Sequence, residues 1–516
     1  MNIRLQVVGY EQRKKSIEDL IQAFFEEPIK FTVDSNIDDL VYDIHIISHR
    51  DPCEIKWTSK TIVIRSSDQF TIEHVETETF GVTGLQEIEA SVERRNVLRS
   101  VLRAMEQMTG WSMPWGILTG IRPTKRLHQL LDQTTEDHAM QILMENYALS
   151  YQKAQRIRSI ATLQRSLFSN WHELDREVSL YIGIPFCPTK CAYCTFPAYD
   201  IRGQQGSVNG FLQGLVLEIR AMGEWFSEHP MKITTVYWGG GTPTSITAEE
   251  MNMLYDELHR AIPAVKFVRE VTVEAGRPDT ITTEKLEVLK KWNVHRISVN
   301  PQSFTQETLD LIGRHHTVDE TIQAMTMARE HGMDNINMDV IVGLPNEHLE
   351  HVQHTLDQIA PWQPESVTVH TLSFKRASTM TKNREEYDVA TRDEIHQMVT
   401  LTEQWSESNG YVPYYLYRQK NILGNLENVG YSKPDRASLY NILMMEENQT
   451  IIGLGCGAVS RLVWPKDHGD DSEKTVKIER IANPKDPRSY MMTIASDVKK
   501  KIATLNEIYG FVEVGQ

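Results

Sequence analysis

YIGIPFCPTKCAYCTF, residues 181–196, runs from an apolar, strand-like stretch straight into three cysteines. Cys187, Cys191 and Cys194 follow a C-x3-C-x2-C spacing, and the other two cysteines, Cys53 and Cys456, are isolated. Structural zinc draws its ligands as two separated pairs, and here there is one tight triplet with no second knuckle. A four-iron cube needs four ligands, so three thiolates leave one iron open to something from solution. A zinc site completed by a distant histidine and three unrelated buried thiols are the alternatives. The spacing favours a cluster with an open iron.

Outward from this stretch, residues 180–375 alternate regularly. LYIGIPF, TVYWGG, EVTVEA, RISVNP, INMDVIVG and SVTVHTLSF read as strands, separated by helical runs such as VNGFLQGLVLEIRAMGEWF and VDETIQAMTMAREHG. Six β-α units in sequence imply an α/β fold with parallel strands and helical crossovers, either open or curled into part of a barrel. Its active site belongs at the C-terminal strand ends. The cysteines follow the first strand, a glycine run follows the second, and Glu274 ends the third.

On either side the pattern changes. Residues 1–170 show IRLQVV, YDIHIIS and TIVIRSS as short strands, then a helical stretch over 86–109, which together predict an α+β domain of unknown role. Within it GIRPTKRLHQLL, residues 120–131, sets Pro123 at a helix start amid basic residues, which reads as a solvated helix face more readily than as an anion site. We expect a core domain over 175–380 and a mostly helical domain over 381–516.

The chain has 516 residues, 40% hydrophobic and 24% charged, with a net charge of −16. That length calls for two or three domains. The acidic balance argues against nucleic acid or anionic lipid as the main partner. No apolar run is long enough to span a bilayer, and MNIRLQVVGYEQRKK lacks the order of a signal peptide. An odd cysteine count clustered at one locus does not make a disulfide framework. A cytoplasmic protein with reduced thiols is expected.

C-x3-C-x-aromatic-C resembles the signature of the radical S-adenosylmethionine (SAM) superfamily, in which the amino and carboxylate groups of SAM chelate the open iron. One electron from the cluster then yields a 5′-deoxyadenosyl radical. VYWGGGTPT, TVEA, RISVNPQSF, LIGRHH and NMDVIVGLP resemble, in order, motifs of oxygen-independent coproporphyrinogen III oxidase and its relatives, strongly over 180–375 and weakly over 410–465. The long segment ahead of the core suggests the longer, oxidase-like paralogue. The resemblance implies a partial (β/α)6 radical-SAM barrel, one 4Fe–4S cluster on Cys187, Cys191 and Cys194, and SAM as second cofactor.

For SAM it implies Tyr181, Tyr193, Gly240, Gly241, Thr242, Glu274, Gln302, Arg314 and Asp339, with Ser373 and Val459 by looser alignment. A cation for the cofactor carboxylate and acids for its sulfonium or ribose make chemical sense of Arg314, Glu274 and Asp339. The implied partners are a tetrapyrrole and a low-potential electron donor such as flavodoxin or ferredoxin. Two positions depart from the family pattern: Phe196 stands where the oxidase has a further cysteine, and EAGRP replaces E-I-D-P. Four propionates call for cations, for which Lys375, Arg376, Arg418 and Lys420 are candidates. Three activities follow: oxidative decarboxylation of coproporphyrinogen III to protoporphyrinogen IX, haem carriage with His315 or His316 as axial ligand, and methyl transfer that opens haem.

Overall fold

Every apolar strand run of the core sequence forms a strand in the computed structural model, which describes residues 1–11, 14–33, 40–51, 56–79, 89–120, 122–196, 198–200, 208–419, 422–465 and 477–510. The chain divides into two compact units, Met1–Leu163 and Gln164–Gln516.

In the first unit, β1 (Asn2–Val8), β2 (Lys30–Thr32), β3 (Leu40–Asp51), β4 (Lys56–Arg65) and β5 (Thr71–Thr79) form a sheet of order β2-β1-β3-β4-β5. The pairs of β1 are parallel and the β3-β4-β5 ladder is antiparallel. The helix Glu89–Thr109 covers it, burying Val97, Val101, Leu102 and Met105 with Ile3, Leu5, Ile44 and Val63. Between helix and sheet, Ser59 of β4 donates to Asn96, and the Thr61 and Ser100 hydroxyls lie 2.6 Å apart, so these buried hydroxyls are paired.

The second unit contains β6 (Val178–Ile184), the two-residue β7 (Phe186–Cys187) and β8 (Tyr199–Asp200), then β9 (Ile233–Gly240), β10 (Glu270–Val273), β11 (Arg296–Ser298), β12 (Ile336–Val342) and β13 (Ser366–Thr371). Strands β6, β9, β10, β11, β12 and β13 pair in that order and all in parallel, as the alternation implied. The crossovers are the helices Val208–Glu228, Ala248–Ala261, Thr283–Lys291, Val318–Glu330 and Leu349–Ile359, with the short helix Gln306–Leu311. Thr247 and Thr317 open two of them with complete capping boxes.

The stretch 381–516 departs from the mostly helical expectation. It has the helices Arg392–Ser408, Leu439–Glu446 and Pro487–Tyr509, but also β14 (Val412–Tyr417), β15 (Asn428–Ser432), β16 (Thr450–Gly455), β17 (Val459–Val463) and β18 (Ile478–Ala482). These extend the same sheet to eleven strands among the described residues, in the order β14-β15-β13-β12-β11-β10-β9-β6-β16-β17-β18. Strand β16 runs parallel to β6, from Thr450 opposite Val178 to Gly455 opposite Gly183. TIIGLG is buried at all six positions, so it has no polar alternation to mark it as a strand.

Candidate functional site

The C-terminal ends of the parallel strands open onto a cavity of about 530 Å³, and every residue that the resemblance assigned to cluster or cofactor lines its wall. Cys187 ends β7, and its Sγ lies 3.3 Å from Thr242 Oγ1. Cys191 and Cys194 sit on the turn that follows, joined by a hydrogen bond from the Cys194 amide to the Cys191 carbonyl (3.1 Å). The three thiols are free of disulfides.

Beside them stands the buried Arg314. Its Nη1 is 3.8 Å from Cys191 Sγ and 3.4 Å from Tyr193 Oη, and its Nη2 donates to the carbonyls of Gly276 and Asn300, each at 2.6 Å. Burial disfavours the charge, but Tyr193 and Cys191 outweigh that and hold the guanidinium protonated. A fixed cation next to buried thiols lowers the cost of gathering negative charge there. Among the described residues no three His, Cys, Asp or Glu side chains converge on one ion position. Three thiols on one cavity wall, with a fixed guanidinium beside Cys191, fit a multi-iron core.

The glycine run brings backbone to the same wall. Gly240 has φ +115°, and a Cβ there would meet the Ile184 carbonyl oxygen at 2.6 Å; one on Gly241 would meet that of Phe186 at 2.5 Å. The amides of Gly241 and Thr242 donate to these two carbonyls (2.8 Å each). The run is therefore sutured to the strand that delivers the cysteines, at a separation only glycine allows.

Glu274 follows β10 and accepts from the Tyr237 hydroxyl. Burial pushes its carboxyl up to about 7, opposed by the Tyr237 hydrogen bond. Tyr237 stacks on Tyr440 (4.2 Å between centroids), and Tyr181 stacks on both. Asp339, on β12, accepts from Asn300 Nδ2 (2.8 Å) and Asn337 Nδ2 (2.7 Å), with His370 Nε2 at 3.6 Å. Burial raises its carboxyl, but His370, Asn337 and Thr368 prevail and hold it below the ordinary carboxylate range. Gln302 has a left-handed backbone (φ +68°), pinned by its amide to the Asp339 carbonyl (2.9 Å) and by its own carbonyl to the Ile341 amide (3.0 Å). Its buried Oε1 has no donor among the described residues. Ser373 and Val459 close the wall.

The candidate propionate cations separate. Lys375 lines the cavity; Arg376 is exposed and off it. Arg418 is buried against the backbone of Asn425 and Leu426, outside the cavity wall. Lys420, like Cys53, lies outside the described residues. His315 is exposed and His316 fully buried, and neither faces the cavity. Burial, with Arg314 and Arg277 nearby, drives the His316 imidazole down to about 3. Sequence reading overlooked Tyr237, Asn300, Asn337, His370, Tyr440, Arg296 and Arg461, all on the wall. Tyr237 was within reach, since it sits in the same VYWGG run as the glycines. Tyr440 and Arg461 come from the C-terminal stretch, whose strands had not been recognised.

A family model described as the radical SAM superfamily matches residues 181–359. The oxygen-independent coproporphyrinogen-III oxidase-like protein HemZ of Bacillus subtilis is 53% identical over 427 residues, 82% of this chain and 84% of its own. The chain belongs to this oxidase-like family of radical SAM proteins. Its cofactors are accordingly a 4Fe–4S cluster and SAM. The heme chaperone HemW of the same organism is 29% identical over 54% of this chain and 70% of its own. Among solved structures, the coproporphyrinogen III oxidase HemN of Escherichia coli superposes with a TM-score of 0.49 at 21% identity, over 66% of this chain and 73% of its own. No helix among the described residues of this oxidase-like protein is long and apolar enough to cross a membrane.

Proposed function

We propose that this oxidase-like protein oxidatively decarboxylates two propionates of coproporphyrinogen III to vinyl groups, giving protoporphyrinogen IX. The observation that carries the proposal is the single cavity in which three thiols, a tyrosine stack and the cations Arg296, Lys375 and Arg461 share one wall. A volume of about 530 Å³ is in the range of small-molecule sites. The extent of similarity to a HemZ described as oxidase-like, over most of both chains, supports it further.

Cys187, Cys191 and Cys194 would hold the cluster. Gly240, Gly241, Thr242, Glu274, Gln302, Arg314 and Asp339 would hold SAM, with Tyr181, Tyr193, Ser373 and Val459 closing the site. When bound, the pair supplies a carbon radical strong enough to take a hydrogen atom from a propionate side chain. The residues of the chain do the rest. Lys375, Arg296 and Arg461 offer the carboxylates partners, and the stack of Tyr181, Tyr237 and Tyr440 gives the macrocycle a flat apolar face. The Tyr237 hydroxyl donates to Glu274, which gives the buried carboxyl a hydrogen-bond partner on that wall. As each propionate becomes a vinyl group, a C–H bond and the bond to the carboxyl carbon break, CO2 leaves, and one electron passes to an acceptor. A low-potential donor such as flavodoxin or ferredoxin would reduce the cluster.

Anaerobic turnover of the reconstituted protein with coproporphyrinogen III tests this. Two CO2 released in step with 5′-deoxyadenosine, and a product lighter by two formic acid equivalents, are expected. The haem-chaperone reading rests on the similarity to HemW. Tight haem binding without porphyrinogen turnover, under a reductant that does cleave SAM, would overturn the proposal in its favour. S-adenosylhomocysteine and an opened tetrapyrrole formed from haem would point to the methyltransferase.

A further inference from the structure

Strand β15 sets an amide side chain on the cavity wall that neither the sequence motifs nor the proposed cofactor contacts use. Asn428, its first residue, lines the cavity and is 1% exposed. The side-chain Oδ1 accepts from the Thr371 backbone amide at 2.8 Å. A backbone N–H can only donate, so this bond fixes which end of the Asn428 amide is oxygen and keeps it from turning over. The other end, Nδ2, is buried and has no acceptor among the described residues. A buried donor without a partner is costly, and an acceptor brought by a ligand removes that cost.

The polar neighbours of Asn428 are occupied with one another. Asn428 pairs with Tyr417 of β14, and the ladder that sets Val429 against Val369 brings His370 of β13 beside it. Gln419 Nε2 donates to the Tyr417 hydroxyl oxygen (3.4 Å), and that hydroxyl lies 3.3 Å from His370 Nδ1. His370 Nε2 in turn faces Asp339 Oδ2 at 3.6 Å. All four residues line the same cavity. Their contacts make a chain that ends on the acid, and Asn428 Nδ2 is left outside it. In the strand order β14-β15-β13-β12, His370 comes between Asn428 and Asp339, so a negative group at Asn428 does not meet the acid directly.

We propose that Asn428 Nδ2 donates to a carboxylate oxygen of the bound ligand and so helps to decide which ligand the cavity accepts. An ionised acceptor makes the stronger hydrogen bond, and a neutral amide supplies the donor without adding charge beside His370 and Asp339. Two ligands of this cavity bring carboxylates, SAM and the tetrapyrrole. The tetrapyrrole is the assignment the geometry favours. Arg314, the cation proposed for the SAM carboxylate, bonds the carbonyls of Gly276 and Asn300, which follow β10 and β11. Asn428 lies on β15, beyond β12 and β13 in the sheet order. That assignment rests on the decarboxylation reading; the donor role of Nδ2 does not.

Anaerobic equilibrium dialysis of the full-length, cluster-loaded protein against coproporphyrin III and, separately, against SAM tests it. Asn428→Asp keeps an oxygen for the Thr371 amide and removes the donor, so it separates the ligand contact from the structural one. Coproporphyrin III should bind about tenfold or more weakly to this variant, with SAM affinity, iron content and unfolding temperature unchanged. Should the buried acid prevent folding, Asn428→Ala, which also lacks the donor, is read in its place with the same expectation. Weaker SAM binding with coproporphyrin III unaffected keeps the carboxylate contact and moves it to SAM. If the unaltered protein does not bind coproporphyrin III, the decarboxylation reading falls and the SAM measurement alone decides the role of Asn428. Unchanged affinity for every probe that the unaltered protein binds overturns the proposal.

Discussion

Cys191 and Cys456 are both buried thiols, and their surroundings separate them. Cys191 faces a cavity and a fixed guanidinium; Cys456 donates to the carbonyls of Pro484 (3.2 Å) and Lys485 (2.9 Å), and burial pushes its thiol up to about 12. A metal ligand must be a thiolate, and acceptor carbonyls around Cys456 favour the thiol. Cys191→Ala should therefore lose most of the iron of the anaerobically reconstituted protein, while Cys456→Ala keeps it. Iron and sulfide assays check this, and the reverse pattern would remove the ligand assignment. The expected cofactor role of Arg314 also changes shape at this scale. Its Nη2 is committed to the carbonyls of Gly276 and Asn300, which leaves Nη1 and the unpartnered Nε for a ligand.

The connections between strands and helices are where the elements lock together. Glu347, in the turn between β12 and the helix Leu349–Ile359, is buried and accepts from the Ser303 hydroxyl beyond β11. Burial is the main cause that pushes its carboxyl from the ordinary 4.5 up to about 7. The folded protein thus keeps this proton where the unfolded chain has released it. The resulting stabilisation is complete below about pH 4.5 and is lost as pH rises through about 7. Glu347→Gln keeps an acceptor for Ser303 and carries no such loss. The stability of the variant relative to the unaltered protein should therefore rise between pH 5 and pH 8, on the order of 2 kcal/mol. Urea unfolding at both pH values reads this, and a pH-independent difference would refute it.

At the scale of the molecule, the C-terminal stretch belongs to the same compact unit as the parallel sheet. The reason is visible around Glu218, on the helix Val208–Glu228. It is fully buried and receives Lys501 Nζ at 2.6 Å, the Tyr490 hydroxyl at 2.6 Å, Asn483 Nδ2 at 3.0 Å and the Gly455 amide at 2.7 Å. Lys501 and Tyr490 lie on the last helix, Gly455 ends β16 and Asn483 follows β18, so one carboxylate ties two late elements and the connection that holds Asn483 to the first crossover helix. Removing one partner of a buried ion pair leaves the other uncompensated. Lys501→Met should cost about 3–5 kcal/mol of unfolding free energy. Adding Glu218→Gln should restore much of it. A single-variant loss below about 1 kcal/mol would mean that the pair does not hold the unit together.

The sequence by itself determined the parallel core, because each of its strands is an apolar run bounded by helical periodicity, and it determined the three thiols, because their spacing is local. The place of the glycines and of Glu274, Gln302, Arg314 and Asp339 on the cavity wall was legible through ordered motifs, the glycines and Glu274 at strand ends, Asp339 within β12 and Arg314 after a short helix. What only the tertiary structure decided depends on distant parts of the chain meeting. The C-terminal strands became strands because β15 found an edge at β13 and β16 one at β6, partners no local pattern announces. Arg461 reached the cavity on β17, which pairs with β16, and Tyr440 on a helix whose first amides donate to Glu270, whereas Arg418 turned into backbone carbonyls and away from it. The basic segment after Gly120 meets Arg95 at Tyr147, more than twenty residues later in the chain, whose ring lies under both the Arg95 and Arg126 guanidinium groups. Periodicity records which face of an element is buried; it carries no record of which other element buries it.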